Sequence, residues 1–134
     1  MSINAYTRTL RNTEDPRQIE RRVLSQVTSS LARHADTFDA AAKTDRVMLL
    51  DATLKTALED NQKVWSTLRM ALALPGNGLP EQLRADLISL SIWVDEQTRS
   101  VLGTRGRIAP LVEINRNIIA GLAQAAPVAM PAEA

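Results

Sequence analysis

The chain is predicted to be all-α, a single compact domain of three to four helices in a bundle-like arrangement. Three observations predict it. Apolar residues recur every three or four positions through most of the chain. The periodic stretches are separated by turns rich in helix breakers, above all Leu74-Pro75-Gly76-Asn77-Gly78-Leu79-Pro80. A length of 134 residues matches one domain with one core.

The first helix is predicted to open at Asp15-Pro16, where the carboxylate can cap a backbone N–H and proline loses no hydrogen bond. Ile19, Val23, Val27 and Leu31 then recur every four residues, with Leu24, Ala35 and Phe38 widening the stripe. This predicts a helix over about 16–35, extending at most to 42. A second is predicted from near Asp45 to about Leu72. Val47, Leu50, Leu54, Leu58, Asn61, Trp65, Leu68 and Leu72 fall in a stripe about 80° wide. So narrow a seam predicts packing along the whole length of one continuous helix.

A third helix is predicted to begin at Pro80, with Leu83, Leu87, Leu90, Val94 and Val101 on one face and Gly103 as its C-cap. Ile88-Ser89-Leu90-Ser91-Ile92 also alternates as a strand would, but the flanks Glu81–Asp86 and Asp95–Gln97 are helix-compatible and the stretch is too long for one strand. A fourth is predicted from Pro110 to Leu122, carrying Leu111, Ile114, Ile118 and Ile119. Ile3, Tyr6 and Leu10 could share one side of a short N-terminal helix, or the segment could be an arm. The domain is taken as residues 1–123. The Ala- and Pro-containing tail, residues 124–134, has little to bury and is expected to be disordered.

Composition narrows the function classes. Sixteen Lys and Arg against fifteen Asp and Glu leave a formal charge of +1, which argues against direct nucleic-acid binding. With no cysteine and one histidine, His34, neither a thiolate nucleophile nor a usual metal site can be assembled. His34 reads as a packed or edge residue of the first stripe. The pairs Glu14-Asp15, Glu59-Asp60 and Asp95-Glu96 diverge by about 100° on a helix, so none converges as an acid–base pair. No phosphate-cradling loop or calcium loop is present. No catalytic residue, metal or cofactor is therefore expected. No apolar run reaches the ~20 residues that span a bilayer, and no signal peptide is evident, so a cytoplasmic protein without membrane attachment is expected.

Two features point to interaction. Asn61 and Asn115 lie inside apolar stripes. They could bond each other and fix the register of two helices, or they could sit at a stripe edge and reach water. Ile88 and Ile92 lie opposite the main apolar face of the third helix, among Glu81, Arg84, Asp95 and Arg99. They form either a second packing surface or a partner site. Trp93 lies on neither face.

These motifs together resemble the flagellar biosynthesis regulator FlaF family of alphaproteobacteria. The carrying residues are Asn4-Ala5-Tyr6, Pro16-Arg17-x-x-Glu20 and Asn61 to Trp65-Ser66-x-Leu68. The turn 75–80 follows, then Leu83-Arg84, Ile88-Ser89-Leu90-x-Ile92-Trp93-Val94 and Ile114-Asn115-Arg116-x-x-Ile119-x-Gly121-Leu122. The chain departs from the family where Asn61-Gln62-Lys63-Val64-Trp65 stands for Asn-Arg-x-Leu-Trp, and residues 36–60 form a longer stretch. The resemblance implies a role in making flagellin, with flagellin and an FlbT-like regulator as partners. It suggests a secretion chaperone that holds a helical end of flagellin before export; a post-transcriptional regulator acting through FlbT and flagellin mRNA is the alternative. The candidate partner-binding residues are then Tyr6, Trp65, Ile88, Ile92 and Trp93. A homo-oligomer, with an apolar face consumed by self-association, is a third reading.

Overall fold

The computed structural model describes the backbone of residues 16–123 and the side chains of residues 21–121. The described residues form five helices and no strand: α1 (Pro16–Ala40), α2 (Lys43–Leu49), α3 (Ala52–Ala73), α4 (Glu81–Leu102) and α5 (Ala109–Ala123). The expectations for residues 1–15 and 124–134 lie outside the described residues.

Short linkers turn each long helix back along the one before it. α1 packs against α5 on one flank and α3 on the other, α3 packs against α4, and α4 meets α5 more sparingly. The four long helices thus alternate in direction around one core, with α3 and α5 facing each other diagonally. The core is built from the anticipated stripes: Leu31 and Phe38 of α1, Leu54, Leu58 and Leu72 of α3, Val94 and Val101 of α4, and Leu111 of α5 are all buried. Three buried hydroxyls bond back into their own helices, Thr28 to the carbonyl of Leu24, Ser91 to Ile88 and Thr98 to Val94. That satisfies them without a partner elsewhere.

The long second helix expected over 45–72 is in fact two. Asp51 takes an extended conformation and its carboxylate accepts the Leu54 N–H at 2.9 Å, so it caps a new helix. The short α2 before it turns away from the seam, leaving Val47 63% exposed although the stripe had placed it in the core. What α2 does bury is Arg46.

The breaker-rich turn is formed by specific contacts. Gly76 has φ +83°, which a side chain rarely tolerates. Asn77 closes the loop in both directions, its Nδ2 donating to the Ala71 carbonyl and its Oδ1 accepting the Leu79 N–H. At the far end of α4, Gly103 is the C-cap as expected, but it has φ −86°. The left-handed position falls one residue on, at Thr104 with φ 64°. The N–H of Arg105 reaches the Ser100 carbonyl and that of Thr104 the Val101 carbonyl, the paired bonds of a Schellman ending.

Candidate partner-binding surface

Inside the molecule, Asn61, Trp65 and Asn115 make one polar chain through the centre of the core. All three are buried; Trp65 is 1% exposed and both asparagines 0%. The Trp65 indole Nε1–H donates to Asn115 Oδ1 at 2.9 Å, and Asn115 Nδ2 donates to Asn61 Oδ1 at 2.7 Å. Because an indole nitrogen only donates, it dictates which way the Asn115 amide faces, and that in turn dictates the Asn61 oxygen. Asn61 Nδ2 is left buried with no partner among the described residues. The chain ties α3 to α5 across the diagonal. It also removes Trp65 from the candidate anchors: in this structure its ring is core, closed to any partner.

At one end of the molecule a second polar cluster ties the linkers together. The buried Arg46 guanidinium donates to the carbonyls of Phe38 and Asp39 at the end of α1, and to those of Thr104 and Gly106 between α4 and α5. It also lies over the Phe38 ring, 5.0 Å from its centroid. Asp39 completes the corner, its two carboxylate oxygens accepting the Ile108 and Ala109 N–H groups at the start of α5. Gly106 fits here because a Cβ would come within 3 Å of the Ser100 side chain. None of this was marked by periodicity, since Arg46 and Asp39 satisfy backbone groups brought together only by the fold.

Large apolar side chains stand exposed at several places: Val23 on α1, Val47 and Met48 on α2, Met70 and Leu74 at the end of α3, and Ile92 and Leu102 on α4. Arg69 Nη2 and the Asp95 carboxylate, 3.0 Å apart, cross the seam between α3 and α4. Ile92 and Ile88 precede Asp95 by three and seven residues, on the same side of α4. Met70 and Leu74 follow Arg69 by one and five. Because the two helices run in opposite directions, all four lie on the turn side of the ion pair. Met70 is 69% exposed, Leu74 60% and Ile92 47%, while Ile88 is half-buried and packs against the core. Ile88 thus serves internal packing and the surface at once. Met70 lay off the main stripe and Leu74 read only as part of a turn, so sequence reasoning missed both.

Trp93 is half-buried on the other flank of α4, packed against the core. Gln97, one turn further, donates to the Arg107 carbonyl on the linker to α5, which directs that flank toward α5. Trp93 therefore does not join Ile88 and Ile92 on one face. Tyr6 lies outside the described residues.

Two open grooves flank α1. The one against α5 is lined by Ser25, Ser29, Ala32, Arg33, Arg116 and Ile119. The one against α3 holds the half-buried His34 beside Thr53, Thr56 and Asp60. Among the described residues, no cluster of three or more His, Cys, Asp or Glu could hold a metal ion, and no helix is long and apolar enough to cross a membrane.

The family model described as flagellar protein FlaF matches residues 2–122, nearly the whole chain. Neither the curated proteins nor the solved structures gave a match. The match spans the helices and turns whose residues build the core, the Asn–Trp chain and the α3–α4 face, and the chain belongs to the flagellar protein FlaF family.

Proposed function

We propose that this protein binds flagellin in the cytoplasm, shielding a helical segment of it before export and thereby regulating how much is made. The carrying observation is the α3–α4 face. Met70 and Leu74 on α3, and Ile92 with half-buried Ile88 on α4, form two pairs at i, i+4 spacing on the turn side of the Arg69–Asp95 pair, the spacing that takes an amphipathic helix. Exposed apolar pairs at helical spacing suit a partner helix, and a flagellar family supplies the context in which a helical filament subunit is one. Holding a helix demands anchors and no catalytic group.

A second reading is a regulator that acts with FlbT on flagellin mRNA. It is favoured by Arg33 and Arg116, which border the α1–α5 groove on the side of the molecule away from the apolar face. Calorimetric titration against purified flagellin, and separately against FlbT, at two salt concentrations distinguishes the two. Saturable flagellin binding with weak salt dependence, lost on Ile92→Ser, is the expected result. Binding to FlbT alone, or steeply salt-dependent binding to flagellin mRNA, would replace the chaperone reading with the regulatory one.

A further inference from the structure

We propose that Asn77 is a site of spontaneous covalent modification, in which the folded α3–α4 turn promotes cyclisation of its side chain onto the Gly78 nitrogen and converts the asparagine to an aspartyl or isoaspartyl residue. No enzyme takes part, and water is the co-reactant. The inference is independent of what the protein binds.

In the first step the Gly78 backbone nitrogen attacks Asn77 Cγ and forms a new C–N bond. The Gly78 N–H proton is relayed by water to the departing amide, the Cγ–Nδ2 bond breaks, and Nδ2 leaves as ammonia. The product is a cyclic imide. Water then adds to one of its two carbonyls. Opening at Cγ restores the main chain and leaves an aspartyl side chain; opening at the main-chain carbonyl routes the backbone through Cγ and gives the isoaspartyl form.

The turn favours this attack on both sides of the new bond. Gly78 is exposed, and a Cβ there would meet nothing within 4 Å. Its N–H donates to no group among the described residues, so the nucleophile is open and unengaged. The electrophile is polarised. Asn77 Oδ1 accepts the Leu79 N–H at 3.0 Å, which draws electron density from Cγ and stabilises the oxyanion that forms there. The same bond closes a ring that runs through the Gly78 peptide and folds the side chain back along it. Asn61, Asn115 and Asn117 share none of this. They lie within α3 and α5, where the following residue is not glycine and the helix fixes the backbone.

The change undoes the closure of the turn. An aspartyl group keeps an acceptor for Leu79 but turns an oxygen, in place of Nδ2, toward the Ala71 carbonyl. It also sets a negative charge at the C-terminal end of α3, where the helix dipole is already negative. The isoaspartyl form lengthens the main chain by a methylene as well.

The test incubates the full folded chain at mildly alkaline pH and maps every asparagine by peptide mass spectrometry. A synthetic peptide of residues 71–83 is the comparator. Conversion adds about one dalton, and the isoaspartyl form is detected by enzymatic methylation. Asn77 should convert severalfold faster in the folded chain than in the peptide, while Asn61 and Asn115 stay intact. Gly78→Ala places a methyl beside the nucleophile where there is room for it. That variant should therefore keep the wild-type melting temperature and slow the conversion severalfold. Asn77→Asp carries the charge of the product and should melt a few degrees lower. Conversion no faster in the folded chain than in the peptide overturns the proposal, because the two side-chain bonds then protect the residue. Equal rates in wild type and Gly78→Ala also overturn it, since attack by the Gly78 nitrogen would not be the route. An unchanged melting temperature in Asn77→Asp overturns the loosening of the turn.

Discussion

Truncating Asn115 removes two hydrogen bonds at once and strands the groups that made them. Trp65 Nε1–H would lose its acceptor and Asn61 its donor, both in a core without solvent access. Each lost bond is worth about 1 kcal/mol and each stranded polar group about as much again, so Asn115→Ala should destabilise the protein by roughly 4 kcal/mol. Urea unfolding followed by Trp fluorescence measures this; a loss below about 1 kcal/mol would mean that water or local relaxation replaces the chain. The two asparagines stand out in the sequence because each interrupts an otherwise apolar stripe. Their pairing was one of two readings open in the sequence, and it is decided by α3 and α5 facing each other across the diagonal. Trp65 was misjudged for a related reason. A tryptophan suits a docking surface and a core equally, and only its indole bond to Asn115 shows which it serves here.

Among the elements, α4 was the most legible, since its breaker-rich start and glycine stop bracket one period of apolar residues. Its ending holds a feature that the sequence hides. Thr104, a β-branched residue, sits at φ 64°, where a Cβ is disfavoured, while the adjacent Gly103 occupies an ordinary conformation. The Schellman bonds and the donation from Arg46 to the Thr104 carbonyl hold it there. Thr104→Gly keeps every one of those backbone bonds and relieves the strain, so it should stabilise the protein by about 1 kcal/mol, read as a raised melting temperature. Destabilisation instead would show that the threonine side chain contributes more than its backbone loses. The break between α2 and α3 escaped the periodicity argument because Val47 and Leu50 continue the stripe in phase. An N-cap bond from Asp51 and the inward pull on Arg46 outweigh that phase, and neither has a periodic signature.

For the whole molecule, the apolar face and the polar corner lie at different places along the helices. The corner joins the end of α1, the end of α4 and the start of α5 through Arg46 and Asp39. The apolar residues lie on the turn side of the Arg69–Asp95 pair. Along α4 the inward face is buried from Leu87 through Ser91, Val94, Thr98 and Val101, and only the first turns, at Leu83, are half covered. α4 meets α5 sparingly, and the polar corner ties only its C-terminal end, so its first turns are expected to open before its last. Hydrogen–deuterium exchange should therefore release the amides of Leu83–Ile88 well before those of Thr98–Val101. Exchange in the reverse order would rule out such an opening. An opening confined to that end would loosen the first turns of α4 from α3 while the Asn61–Trp65–Asn115 chain and the Arg46 corner stay closed.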